Sequence, residues 1–121
     1  MLKETANVQQ IDGEHKRRWF WSDYFDLIVW ISDENNIMGF QLCYDIRKNQ
    51  RVLTWKKETG FSHDKIDDGE SQSGKHKASP ILTADGIFEK ENVSAAFRNE
   101  SRDIDKQIAD FVYSKILEYV L

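Results

Sequence analysis

The sequence predicts one α+β domain: an antiparallel β-sheet meander of about five or six strands packed against a C-terminal amphipathic α-helix. Three observations lead there. Apolar residues alternate with period two through successive segments from Trp19 to Trp55, short polar loops separate those segments, and helical spacing takes over after Asn92. A chain of 121 residues fits a single domain and buries enough surface for one core without staples.

Residues 1–14 are polar and lack periodicity, which predicts a flexible N-terminal arm ahead of a domain at 15–121. Structure is expected to begin with the aromatic run His15 to Trp21, and Ser22-Asp23 supplies a turn. Phe25 to Ser32 is the strongest strand signal. Phe25, Leu27, Val29 and Ile31 share one face, while Ile28 and Trp30 keep the other face apolar too, as in a central strand. Asp33-Glu34-Asn35-Asn36 reads as a hairpin loop, and Ile37 to Asp45 as the return strand. That strand sets Met38, Phe40, Leu42 and Tyr44 against Gly39, Gln41 and Cys43. A loop at Arg47–Gln50 leads to a third strand, Arg51 to Lys56. Loops this short force antiparallel pairing.

Phe61 to Ile66 reads as a shorter strand, and residues 67–79 as a polar loop with no core-forming residue. A loop of that length in a compact domain is functional or mobile. Pro80 opens a short edge strand, Ile81 to Ala84, that ends at the Asp85-Gly86 turn. One short helical turn is expected at 92–97. A long helix follows from about Ile104, with the stripe Ile104, Ile108, Phe111, Val112, Ile116 and Tyr119, and with Ser101 or Asp103 as its cap.

Composition sets the class. Hydrophobic residues make up 40% and charged residues 31%, as in ordinary water-soluble domains. The single Cys43 excludes an internal disulfide, and no Cys/His zinc spacing exists. Met1 to Thr5 lacks the basic-then-apolar run of a secretory leader, and no apolar stretch approaches the ~20 residues that span a bilayer. The expectation is a cytoplasmic protein with no membrane contact and a reduced Cys43. Net charge is −4, but residues 15–57 carry eight Lys/Arg against five Asp/Glu, so the first half is basic and aromatic.

Four groups of residues bear on chemistry. Gly69-Glu70-Ser71-Gln72-Ser73-Gly74-Lys75-His76 matches the glycines and lysine of a phosphate-binding loop. Its last position is His76 instead of a magnesium-binding hydroxyl, and extended chain follows in place of a helix, so it reads as a Ser/Gly loop. His63, Asp64, Asp67, Asp68, Glu70 and His76 form a polar cluster. From it come His63 and Asp67 as candidate acid–base residues, and His63, Asp68 and His76 as candidate metal ligands. No calcium-loop spacing is present, and ordinary surface polarity on an edge strand accounts for the same residues.

Lys16-Arg17-Arg18-Trp19-Phe20-Trp21, with Arg47, Lys48, Arg51, Lys56 and Lys57, interleaves cations with aromatics as single-stranded nucleic-acid binders do. Arg17, Trp19, Trp21, Gln41 and Arg51 are the candidate binding residues. Strand aromatics are more simply read as core, and the spacing of an RNA-recognition sheet is missing, so nucleic acid is an unlikely partner. Cys43, mid-strand among apolar residues, reads as an inert buried thiol.

Arg18-Trp19-Phe20, Asp26 to Trp30, Gly39 to Asp45, Leu53-Thr54-Trp55, Ile66 to Glu70, Ser79 to Leu82 and Asp85-Gly86 together carry a resemblance. Over roughly residues 17–88 the chain is similar to a set of small uncharacterised bacterial proteins. That resemblance implies a bacterial, cytoplasmic protein and brings with it no activity and no cofactor.

The function expected is a non-catalytic binding or protein-interaction module, homodimeric or with a protein partner. One helix covers only part of one face, and strands apolar on both faces need cover on the other. The alternatives are a small enzyme or metal binder built on His63, Asp67, Asp68 and His76, and single-stranded nucleic-acid binding through residues 16–21.

Overall fold

The computed structural model describes residues 1–67, 81–84 and 88–119, with side chains placed for 1–65 and 88–119. Its chain order is β1 (Lys3–Glu4), β2 (Lys16–Trp21), β3 (Phe25–Ile31), β4 (Ile37–Tyr44), β5 (Arg51–Lys56), β6 (Gly60–Asp67), β7 (Ile81–Ala84), α1 (Lys90–Glu100) and α2 (Lys106–Glu118). The seven strands pair in sequence order, every neighbour antiparallel, so the α+β meander with a C-terminal amphipathic helix is what the chain forms.

Short turns enforce that order. The Ser22 hydroxyl accepts from the backbone N–H of Tyr24 and of Phe25, closing the β2–β3 turn. Ser32 does the same for Asn36, and Asn35 adopts φ +67°, a conformation Asn tolerates.

Registry sorts the strand residues onto two faces, apart from a register shift between Trp30 and Ile31 that leaves Met38 unpaired opposite them. Phe20, Leu27, Leu42 and Leu53 lie in line across four strands, all fully buried. With Phe25, Val29 and Phe40 they meet Val93 and Phe97 of α1 and Ile108, Val112 and Ile116 of α2. Burying each such side chain contributes roughly 1.5–3 kcal/mol. Phe25 meets Phe97 edge-on, and Trp55 meets Phe111 the same way, which fixes both helices on this one face.

Three expectations need correction. Where a flexible arm was expected at 1–14, Leu2 is only 1% exposed within the core, and Lys3–Glu4 pairs with β2. The Leu2 N–H donates to the Glu100 carbonyl and that of Thr5 to the Trp19 carbonyl. The short turn expected at 92–97 is an eleven-residue helix, α1, burying Val93, Ser94 and Phe97. The cap of α2 is Asp105, whose carboxylate accepts from the Gln107 N–H, and not Ser101 or Asp103. No helix among the described residues is long and apolar enough to cross a membrane.

Candidate functional site

Both helices pack on one face of the sheet; no described helix packs on the other, where Val52 is nevertheless fully buried and Cys43 nearly so. Backbone pairing arranges this uncovered face in three rows that cross the strands. Arg17, Trp30, Gly39 and Lys56 form the first; Trp19, Ile28, Gln41, Thr54 and Ser62 the second; Trp21, Asp26, Cys43, Val52 and Asp64 the third, with Lys3 at its outer edge.

Aromatic rings dominate the β2–β3 side of this face. Trp21 is 49% exposed, and Trp19, Ile28 and Trp30 are half-buried. The Trp19 indole N–H donates to the Asp26 carboxylate, which fixes the ring across the sheet surface. Lys56 holds its ammonium 5.8 Å from the centre of the Trp30 ring. Between those two lies Gly39, where an added Cβ would stand 2.9 Å from the Trp55 carbonyl oxygen. Glycine there leaves a cleft of about 500 Å³ bordered by Trp30, Lys56, Glu14, His15 and Glu58.

Arg17 is tied to the segment before it. Its guanidinium donates to the Gln9 carbonyl, and the Gln10 side chain both accepts from the Arg17 N–H and donates to the Arg17 carbonyl. Cys43 is nearly buried, and its thiol is pushed up to about 11, by burial first and by Asp26 second. Side-chain hydrogen bonds from Gln50 and Gln41 oppose that shift. At neutral pH the thiol stays protonated and is no nucleophile.

Four of the five candidate binding residues thus share one face: Arg17, Trp19, Trp21 and Gln41. Arg51 lies on the opposite, helix-bearing face, in line with Tyr44 and Lys65. Of the basic run, Lys16 and Arg18 also belong to the helix side, and Arg47 pairs with Asp23 at the far end of the strands. The reading of strand tryptophans as core is corrected here. None of Trp19, Trp21 and Trp30 belongs to the core; Trp55 alone packs against it.

His63 belongs to the helix side too. It is 4% exposed, and its Nε2 lies 2.6 Å from the Tyr44 hydroxyl. The rings of Tyr44, Phe88 and Tyr119 surround it. It is a hydrogen-bonded core histidine and not the exposed edge residue expected. The Asp67 backbone pairs with Ile81 at the end of β6. Asp68, Glu70 and His76, and with them the Gly69–His76 motif, lie outside the described residues. Among the described residues, no three His, Cys, Asp or Glu side chains gather as a metal site would require.

Trp30 and Lys56, which the sequence grouped with the basic aromatic run, and Ile28 and Asp26, which it did not single out, complete the face. Their signal is registry: each stands in line with Arg17, Trp19 or Trp21 once the two short turns fix the pairing. Compared with known protein families, with characterised proteins and with solved structures, the chain matches none.

Proposed function

We propose that this chain is a non-catalytic interaction module that binds a folded protein across the uncovered face of its sheet. The observation that carries the reading is the grouping of three tryptophans, one of them half exposed, on the face opposite the helices. Interface centres are enriched in Trp and Arg, and flat aromatic surface loses little entropy when a partner covers it.

The charge on the face favours protein over nucleic acid. Lys3, Arg17 and Lys56 are set against Asp26 and Asp64, with Glu14 and Glu58 bordering the cleft beside Lys56, so phosphate would meet carboxylates at least as often as cations. The acid–base alternative loses support because His63 is enclosed by core rings beneath the helices. A cytoplasmic setting belongs to the same reading, since the lone Cys43 thiol gains nothing from an oxidising compartment.

A photoreactive phenylalanine analogue placed at position 21, and separately at exposed Gln107 of α2, tests the reading in cells. A discrete covalent adduct is expected from position 21 and none from position 107. No adduct at position 21, or the same adducts from both positions, would overturn the proposal.

A further inference from the structure

We infer that residues 6–14 form a latched strap: the Gln10 side chain takes the place of a strand residue at the edge of β2, and the strap releases while the rest of the fold stays closed. The latch belongs to the free chain and does not depend on the partner proposed above.

The register of β1 against β2 shows where the ladder stops. Lys3 faces Trp21 and Glu4 faces Phe20, and the Thr5 N–H still donates to the Trp19 carbonyl at 2.8 Å. Two residues further, the same register would set Asn7 opposite Arg17. Asn7 instead adopts φ +58°, a left-handed conformation that turns the chain out of the ladder. Between this segment and β2 lies a hollow of about 440 Å³, lined by Thr5, Asn7, Val8, Gln10, Lys16 and Arg17 among others.

Gln10 takes the position that Asn7 leaves. Its carboxamide carries an acceptor and a donor side by side, as a peptide unit does. The Oε1 accepts from the Arg17 N–H at 2.8 Å, and the Nε2 donates to the Arg17 carbonyl at 3.0 Å. The same Nε2 donates to the Val8 carbonyl at 3.2 Å, which ties the side chain to its own segment. One side chain thus satisfies both backbone groups that a sheet edge would otherwise leave open at Arg17.

Little else holds the strap down. One further bond to β2 joins the Arg17 guanidinium to the Gln9 carbonyl. Among the described residues the core takes none of residues 6–14; Val8 is half-buried and the others are exposed. A few solvent-facing hydrogen bonds must offset the chain entropy of nine residues, the condition under which a segment opens locally. The closed state also has a cost, because the Arg17 Nε is enclosed and meets no acceptor among the described residues. Release takes the Gln9 carbonyl off the Arg17 guanidinium and removes Gly13 and Glu14 as one wall of the cleft beside Trp30. The strap therefore controls access to the Arg17 end of the uncovered face.

Amide hydrogen exchange, followed by nuclear magnetic resonance, tests the latch in wild type, Gln10→Ala and Gln10→Glu. Gln9→Ala, which keeps its backbone carbonyl, serves as the control. In wild type the Arg17 amide should exchange roughly a hundredfold or more faster than the Val29 amide of β3, at a rate that low urea leaves unchanged. In Gln10→Ala it should exchange roughly tenfold faster again, while Val29 changes much less and Gln9→Ala matches wild type. Gln10→Glu keeps the acceptor but sets a carboxylate against the Arg17 carbonyl, and should shift in the same direction. An Arg17 amide as slow as Val29 and equally sensitive to urea would overturn local release. A wild-type rate in Gln10→Ala, or equal acceleration of Arg17 and Val29, would overturn Gln10 as the latch.

Discussion

Phe20 and Trp21 are adjacent aromatics with opposite duties. Phe20 is fully buried against the helices, whereas Trp21 lies half exposed on the uncovered face. Phe20→Ala should cost about 3–5 kcal/mol of stability in urea unfolding, as expected for a deleted core ring. Trp21→Ala should cost no more than about 1 kcal/mol yet weaken partner binding. Equal losses from the two substitutions would refute the assignment of faces. Cys43 gives a second test at this scale. With its thiol raised to about 11, alkylation by iodoacetamide at pH 8 should be much slower than in the unfolded chain. A rate in the native protein equal to that in denaturant would contradict its burial.

Much at this scale was legible in the sequence. Alternation correctly placed Phe25, Leu27, Val29 and Ile31 together, because period two admits no other sorting within a strand. Nothing in the sequence settled which side the helices would choose, since Ile28, Trp30, Trp19 and Trp21 make the other side apolar as well. The same ambiguity hid His63, whose neighbours Phe88 and Tyr119 come from distant parts of the chain.

Elements are joined at one place by a single side chain. Arg18 of β2 bonds both oxygens of Glu4 in β1, at 2.7 and 2.8 Å, and reaches the α2 cap Asp105 at 3.0 Å. The guanidinium holds both carboxyls below the usual carboxylate range, chiefly through its hydrogen bonds. Groups whose acidity is raised by folding stabilise above their unfolded pKa of about 4, and that stabilisation is lost as pH falls through the lower folded values. Both carboxylates are partly exposed, so screening limits each pair to under about 1 kcal/mol. Arg18→Met should therefore be less stable than wild type at pH 6, and the gap should narrow by pH 2. A constant gap would assign the loss to packing alone. Asp105→Ala should cost a further ~1 kcal/mol by removing the cap.

Element boundaries were the least legible part of the sequence. Two apolar residues, Val93 and Phe97, anchor α1 one turn apart, too few to mark eleven residues. Ser101, Asp103 and Asp105 all have capping side chains, and only the position of the first helical turn selects among them. Two residues are enough for β1, because Leu2 inserts into the core beside it.

Among the described residues, the molecule is a sheet with helices on one face only. Helices α1 and α2 shield a core built from both ends of the chain, and the opposite face keeps three of the four tryptophans. The meander order was legible from loop length and alternation. The division of labour between faces was not, because it arises from where two C-terminal helices dock.

The four indole N–H groups make that division directly measurable. In nitrogen-resolved spectra of the labelled chain, a soluble paramagnetic agent broadens the signals it can reach. The Trp21 indole signal should broaden most, and that of Trp55, packed on Phe111 of α2, clearly less. A Trp55 signal broadened as strongly as that of Trp21 would contradict the division of the sheet into a helix-covered face and an open one.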